Sequence, residues 1–278
     1  MSARRAPFLV LAHHRSGSNF LNDLLQAHPA VECLNEPLSM HTSLFRQCDL
    51  VHWGAREYDP GSLHASLAGE PELRDFLIEL RAYLLQSTAT RIAGFKETVL
   101  FGKLGWLKAF LPSLKIIFLR RNPRAIVNSV LRSGLIDFWR YQETVPPAFQ
   151  RMFPAYASQL QPGEHDARAA ELAAMSVAVR YEMARDTIGA FDHCVLSLEG
   201  LIRDPATELL KVTDLLDVAP HPALLSFVNE RAADNRGGIY SSFRRGSEVT
   251  NAWQTRLNPR QRQVIEEVLH VAGERVVA

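Results

Sequence analysis

The chain has 278 residues, of which 47% are hydrophobic and 22% charged, and its formal net charge at pH 7 is +1. This composition is typical of a soluble globular protein, and the length favours one large domain over residues 1–278. The near-zero charge argues against a broad surface for nucleic acid or an anionic membrane, so an anion site must be built from a few placed cations.

The cysteines and the N-terminal region predict a cytoplasmic protein. Cys33, Cys48 and Cys194 lack the spacing of metal ligands, and an odd number argues against a disulfide framework. The apolar run at 8–12 is too short for a signal peptide, which needs roughly 7–15 apolar residues. No run approaches the roughly 20 apolar residues of a membrane span. We therefore expect neither a bound metal nor a membrane span.

Apolar, β-rich runs alternate with helical patterns, which predicts an α/β domain around a parallel sheet. The predicted strands, in chain order, are 8–12, 30–34, 91–95, 115–119 and 193–198. Apolar residues at helical spacing predict helices that include 20–25, 73–84, 126–131, 172–183 and 264–269.

Local sequence signals predict the starts of three helices. A further segment shows no regular pattern. Asn122-Pro123, Asp204-Pro205 and Asn258-Pro259 each combine an N-cap residue with a proline suited to the first helical position. Residues 137–165 contain aromatic side chains and Pro146-Pro147 but no clear period. We expect this segment to be a loop or lid on the acceptor side of the domain.

The turn Arg15-Ser16-Gly17-Ser18 follows the first strand and precedes a helix. Unpaired backbone N–H groups and the helix dipole make such a turn a binding site for phosphate-like anions. Gly17 permits close approach of the backbone, the serines add hydroxyl donors, and Arg15 adds a permanent charge. The Gly-x-x-x-x-Gly-Lys-[Ser/Thr] motif is absent, so the loop provides no obvious Mg²⁺ ligand. By itself, a turn of this composition is also compatible with a purely structural role.

A second candidate anion site follows the strand predicted at 115–119. Arg121 and Ser129 bracket the start of the next helix. From these residues alone, two explanations are equally good. One is an anion site, and the other is a solvated arginine beside a capped helix with a serine on the helix surface.

Four segments together resemble the sulfotransferases that use 3′-phosphoadenosine-5′-phosphosulfate (PAPS). Residues 15–21 resemble their 5′-phosphosulfate loop, in the Arg-Ser-Gly form common in carbohydrate and bacterial members. Residues 121–129 resemble the 3′-phosphate segment, with the usual separation of arginine and serine. Residues 198–205 are similar to the family's strand-to-helix segment, and 242–246, followed by Trp253, to the segment that closes over the 3′-phosphate. The order of these segments fits the family over nearly the whole chain.

The resemblance implies a three-layer α/β fold with a P-loop-like central parallel sheet flanked by helices. It also implies PAPS as donor, PAP (3′-phosphoadenosine-5′-phosphate) as product, and no requirement for a metal. The donor-binding residues that it implies are Arg15, Ser16, Gly17, Ser18, Asn19, Phe20, Arg121, Ser129, Arg244, Arg245 and Gly246.

Four residues are candidates for the chemistry. Arg15 would stabilise the leaving phosphate, and Glu36, in a Glu-Pro-Leu setting similar to that of carbohydrate sulfotransferases, would be the general base. His14 is the second candidate for the base, and Lys96 would stabilise the transferring sulfuryl group. The Lys-x-His pattern of cytosolic enzymes is not matched near Lys96. A surface carboxylate, a structural histidine and a salt-bridged lysine remain open as alternatives for these residues.

Three functions follow as hypotheses. The first is an O-sulfotransferase acting on a small-molecule, carbohydrate or glycolipid acceptor. The second is a kinase that uses ATP on the same sheet, and the third is a non-catalytic module that binds PAP or another nucleotide. The sequence pattern defines neither the acceptor nor the oligomeric state.

Overall fold

A computed structural model describes residues 5–37, 78–79, 81–84, 86, 91–134, 138–233 and 250–273. Within these residues the strands are β1 (Phe8–Ala12), β2 (Val31–Asn35), β3 (Ile92–Glu97), β4 (Lys115–Arg120) and β5 (His193–Ser197). The helices are α1 (Ser18–Gln26), α2 (Leu104–Phe110, after a 3₁₀ turn at Phe101–Lys103), α3 (Pro123–Ser133), α4 (Phe138–Met152), α5 (His165–Ile188), α6 (Leu198–Arg203), α7 (Pro205–Leu216), α8 (Pro222–Ala233), α9 (Trp253–Arg256) and α10 (Pro259–Ala272).

The strands form a parallel sheet in the order β2-β3-β1-β4-β5. Strand β1 lies at its centre, where Phe8 pairs with Gly94 of β3 and with Lys115 of β4. Every residue of β1 is buried, as expected for a central strand covered on both faces. The predicted parallel sheet is confirmed, and its carboxyl ends all meet at one edge.

Helices cover both faces of the sheet, because the side chains of β1 alternate between two apolar cores. Phe8, Val10 and Ala12 pack with α1, α6, α7 and α8. Leu9 and Leu11 pack with α2, α3, α4, α5 and α10. The predicted three-layer arrangement is therefore confirmed.

The three predicted helix starts are confirmed by their caps. The side chains of Asn122, Asp204 and Asn258 each accept a hydrogen bond from a backbone N–H in the first turn, at 3.0, 3.2 and 2.8 Å. Each capped helix has proline at its first position. Half of the helix predicted at 73–84 lies outside the described residues, and the described half, 78–79 and 81–84, is helical.

Residues 137–165 differ from the sequence expectation. Helix α4 occupies much of this segment and continues through Pro146-Pro147, so the prediction of irregular structure was wrong. Tyr141, Val145 and Phe149 recur every four residues, and the last two are buried. Burial of this stripe against α5 outweighs the unfavourable helix propensity of proline. A lid function on the acceptor side stays a prediction.

None of the helices in the described part of the chain is both long and apolar enough to cross a membrane.

Candidate functional site

The residues singled out by the sequence lie at the carboxyl edge of the sheet. The loop 13–17 follows β1, Glu36 follows β2, Lys96 lies near the end of β3, and Arg121 follows β4. The backbone N–H of Glu36 donates to the carbonyl of Lys96 at 2.8 Å, which joins two of these ends. Open α/β sheets bind their ligands in the crevice at this edge, which is therefore the candidate site.

Gly17 connects the loop to α1 and is required there for two reasons. Its φ of +91° lies in the left-handed region, which favours glycine. A Cβ at this position would lie 2.8 and 2.9 Å from the two methyl carbons of Leu198, closer than carbon atoms approach. Gly17 also has no side chain with which to cap α1. N–H groups in the first turn of an α-helix have no partner within the helix, and such groups can bind an anionic ligand.

Arg15 joins the two segments that the sequence assigned to phosphate groups. Its Nε donates to Ser129 Oγ at 3.1 Å, and its backbone carbonyl accepts from Arg121 Nη1 at 2.6 Å. Its φ of +67° is left-handed, which in a non-glycine residue costs on the order of 1–3 kcal/mol. The loop therefore places two arginines side by side at the end of the sheet.

The backbone around Arg121 is held from both sides. Its N–H donates to Tyr181 Oη at 3.0 Å, and the hydroxyl of Tyr181 donates to the Arg121 carbonyl at 3.1 Å. Burial raises the pKa of Tyr181 to about 12, so the phenol keeps its proton. A carboxylate oxygen of Glu199 accepts from the N–H of Asn122 at 3.1 Å. Both contacts fix the direction in which the Arg121 side chain leaves the strand.

Glu36, Lys96 and Asn19 form an ion-paired cluster. The side chain of Lys96 is fully buried, whereas that of Glu36 remains 18% exposed. The Lys96 ammonium pairs with the Glu36 carboxylate and also donates to Asn19 Oδ1 at 2.8 Å. A buried ammonium is tolerated because it is paired and hydrogen-bonded. The pair thus keeps a carboxylate at the crevice, next to the first turn of α1.

His13 and His14 form a second cluster with Arg180 of α5. Arg180 Nη1 donates to His13 Nε2 at 3.0 Å and to His14 Nδ1 at 2.8 Å. Tyr141 Oη of α4 lies 2.8 Å from His14 Nε2. Burial first, then the charge of Arg180, lowers the pKa of His13 well below its usual range. Burial, His13, Arg180 and Arg15, in that order, lower the pKa of His14 likewise, so both rings are neutral at pH 7.

The structure describes most of the residues that the sequence predicted for the site. The segment 15–20 leads into α1. Five other predicted residues lie beside it: His14, Glu36, Lys96, Arg121 and Ser129. The ring of Phe20 lies 5.9 Å from that of Phe227 in α8. Arg244, Arg245 and Gly246 lie outside the described residues.

Arg180 and Tyr181 were not among the predicted site residues. Both lie on α5, and one contacts the loop after β1 while the other contacts the residue after β4. One signal was present in the sequence. Ser176 and Arg180 continue the four-residue spacing of Leu172, so a charged residue lies on the apolar face of a buried helix. A buried arginine requires acceptors for its donors, which points to a polar cluster.

No group of three or more histidine, cysteine, aspartate or glutamate residues in the described ranges is placed to hold a metal ion.

Residues 7–222 match the model of the sulfotransferase family. No curated protein matches the chain in sequence.

Several solved structures share the fold. The sulfotransferase domain of the Synechococcus PCC 7002 olefin synthase is 19% identical, with a TM-score of 0.50, over 96% of this chain and 95% of that domain. The sulfotransferase domain of the curacin biosynthetic pathway is 17% identical, with a TM-score of 0.50, over 96% of this chain and 99% of that domain. Mouse SULT7A1 in complex with PAP is 15% identical, with a TM-score of 0.51, over 96% of this chain and 84% of that protein. At these identities the likeness establishes the fold.

Proposed function

Because the chain belongs to the sulfotransferase family, we propose that it transfers a sulfuryl group from PAPS to a hydroxyl of a small-molecule, carbohydrate or glycolipid acceptor. The observation that carries this proposal is the juxtaposition, at one edge of the sheet, of a phosphate-type loop with an ion-paired carboxylate. The complex of the mouse relative with PAP supports the choice of donor.

The loop and the two arginines would bind the donor. The N–H groups of the first turn of α1 and the side chains of Arg15, Ser16 and Ser18 would hold the 5′-phosphosulfate. Arg121 and Ser129 would hold the 3′-phosphate. Their contacts with Arg15 support this division, because Arg15 is the residue proposed for the neighbouring 5′-phosphosulfate. The contributions of Arg244, Arg245 and Gly246 to the 3′-phosphate site, and of Phe20 to the nucleotide site, are part of the same proposal.

Transfer requires in-line attack by the acceptor oxygen on sulfur, while the bond from sulfur to the phosphate oxygen of PAP breaks. Negative charge then develops on the leaving phosphate, and Arg15 and the loop N–H groups would stabilise it. The acceptor proton would pass to Glu36. Lys96 already donates to Glu36 and Asn19, and an ammonium has three donors. Its third N–H suits an oxygen of the transferring group.

Glu36 is a better candidate for the base than His14. A general base needs a lone pair directed at the acceptor. One ring nitrogen of His14 accepts from Arg180, and the other must then carry the ring proton. Glu36 combines a carboxylate, partial exposure and a position at the end of β2, which fits proton abstraction in the crevice.

Thermal stabilisation by PAP tests the donor. Ligand at about 100 times its dissociation constant adds roughly 2.7 kcal/mol of stability. We expect PAP to stabilise the protein more than ADP does, and Arg121→Ala to remove most of this difference. Arg132→Ala is the matched control, since Arg132 is an exposed arginine at the end of α3.

Two outcomes would overturn the proposal. Stabilisation by ATP with Mg²⁺ but not by PAP would favour the kinase hypothesis. Binding of PAP without sulfation of any acceptor in a broad panel would favour a non-catalytic nucleotide-binding module.

A further inference from the structure

A polar cluster adjoins the turn at 15–17, and the transfer steps proposed above do not use it. It consists of His13, His14, Tyr141, Ser176 and Arg180. His13 and Arg180 are only 1% and 3% exposed, and Ser176 is fully buried. Taking a guanidinium out of water is unfavourable unless its donors find acceptors. Imidazole nitrogens of two successive residues serve as acceptors here.

The proton positions in this cluster follow from the chemistry of arginine, which only donates. The two hydrogens of Arg180 Nη1 match the two nitrogens that it faces, His13 Nε2 and His14 Nδ1. Each of these nitrogens must offer a lone pair, so each ring carries its proton on the opposite nitrogen. His13 Nδ1 then donates to the His14 carbonyl at 2.6 Å, and His14 Nε2 donates to Tyr141 Oη at 2.8 Å.

The tautomer of His13 affects the backbone geometry of the loop. The carbonyl of His14 accepts from the ring of His13, and the carbonyl of His13 accepts from the N–H of Ser16 at 3.1 Å. The His14 carbonyl is therefore held by the cluster, and the His13 carbonyl by the turn that follows it. Arg15 comes next in the chain with a left-handed φ, a conformation that persists only where its surroundings hold it.

We infer that Arg180 is a positioning residue, which fixes His13 and His14 in opposite neutral tautomers, holds the loop that carries Arg15, and links that loop through Tyr141 to α4. The effect on turnover rests on the proposed function, whereas the proton arrangement does not. Arg180 thereby connects the predicted donor loop with the helix that occupies the predicted acceptor-side segment.

The charges around the two rings support the neutral forms. The groups that act on the pKa of His14 are His13, Arg180 of α5 and Arg15 of the loop, and all of them lower it after burial. Tyr141 faces the same ring from α4, with ring centroids 6.1 Å apart. Protonation of either ring would set an N–H against the N–H groups of Arg180.

Nitrogen-15 spectra of the ligand-free, histidine-labelled protein test the arrangement directly. We expect two neutral rings with opposite tautomers, protonated on Nδ1 in His13 and on Nε2 in His14, and unchanged between about pH 7.5 and about pH 6, below the ordinary histidine pKa. His13→Gln and His14→Gln assign the signals. The same tautomer in both rings, or a protonated ring at pH 7, would overturn the inference without any Arg180 variant having to fold.

Arg180→Met tests the consequence, with Arg185→Met as its matched control on the same helix. Arg185 is 41% exposed and pairs with Glu182 and Asp186, so its loss should change neither the spectra nor turnover. Arg180→Met should release both tautomers and lower kcat/KM for PAPS by about 10–100-fold, the loss expected from misplacing a catalytic group by about 1 Å. Arg180→Lys keeps the charge, but its point-like donor group lacks the planar fork, so it should recover only part of this loss.

Tyr141→Phe separates the link to α4 from the loop itself. It removes the oxygen that accepts from His14 but leaves Arg180 in place. We expect wild-type affinity for PAP and wild-type tautomers, together with a several-fold higher KM for the acceptor. A variant with equal losses in PAP affinity and acceptor KM would contradict the link.

The outcomes distinguish this inference from the proposed function. Expected tautomers in a wild-type protein that does not bind PAP would support the Arg180 arrangement and refute the proposed donor. Normal PAP binding and turnover in Arg180→Met would refute the positioning role alone.

Discussion

Two polar clusters adjoin the turn at 15–17, and they hold their titratable groups in opposite ways. Glu36 and Lys96 form an ion pair, whereas His13 and His14 are buried against Arg180 and stay neutral. An imidazole that faces an arginine lowers its free energy by giving up its proton, and a carboxylate that faces an ammonium does so by staying ionised. From this comparison we expect the charged cluster to take part in proton transfer and the neutral cluster to support the loop.

The largest effect is expected from Glu36→Gln, which removes the proposed base from the charged cluster. Turnover should fall by about 10²–10⁴-fold, the usual contribution of general-base catalysis, while the affinity for PAP stays near that of wild type. Steady-state sulfation assays combined with PAP titrations measure both quantities.

Glu32→Gln is the control for that experiment. Glu32 lies on β2, the strand that Glu36 follows, and pairs with Arg91, away from the crevice edge. A loss of turnover in Glu32→Gln as large as in Glu36→Gln, or a parallel loss of PAP affinity in Glu36→Gln, would argue against Glu36 as the base.

Gly17→Ala should disturb the loop between the two clusters. The positive φ and the approach of Leu198 together predict a loss of about 1–3 kcal/mol in the free energy of unfolding, with weaker PAP binding. Gly163→Ala is the control, because Gly163 also has a positive φ, but no neighbouring atom of the described residues lies within 4 Å of its Cβ position. Chemical denaturation of both variants isolates the contact with Leu198, and equal losses would show that the contact contributes nothing.

The neutral cluster predicts how stability depends on pH. The pKa values of His13 and His14 are lowered in the folded state, whereas in the unfolded chain they lie near 6.5. Below about pH 6.5 the unfolded state therefore binds more protons, and stability falls by up to about 1.4 kcal/mol per pH unit for each ring. Denaturation at pH 7.5 and pH 5.5 measures the loss. It should be smaller in His14→Gln than in wild type, and an equal loss would contradict the neutral assignment of His14.

The smallest effect is expected at a surface ion pair, which serves as the reference for both clusters. Arg124 of α3 pairs with Glu266 of α10, whose side chain is 50% exposed. Glu266→Gln should lower the free energy of unfolding by less than about 1 kcal/mol and leave turnover unchanged. A larger loss would mean that exposure is a poor guide to the strength of ion pairs in this protein.

Most of the sheet and the loop after β1 could be predicted from the sequence, because their signals are local. Short apolar runs predict buried strands, and Asn122 or Asp204 before a proline predicts a helix start. A salt-bridged Lys96 is one of the alternatives that the sequence leaves open, but Glu36 as its partner could not be predicted. Their contact depends on β2 and β3 being neighbours, which is a property of the topology.

Two misses have the same physical cause. The prolines at 146 and 147 suggested an irregular segment, but packing against α5 outweighs their propensity. The pattern at 172–183 predicts an ordinary amphipathic helix and no role for Arg180, because its partner His14 lies 166 residues away in the chain. Long-range burial decides both cases. The spacing of Leu172, Ser176 and Arg180 indicates a polar cluster but does not identify the partners of Arg180.

The central position of β1 has a consequence for how the chain acquires its fold. Strand β1 precedes both of its partners, β3 and β4, in the chain, and Gly17 packs on a leucine at position 198. Such distant pairing is associated with slow folding and with exposure of unpaired strand edges in the nascent chain. The loop after β1 is therefore synthesised before the residues that hold it in its final shape.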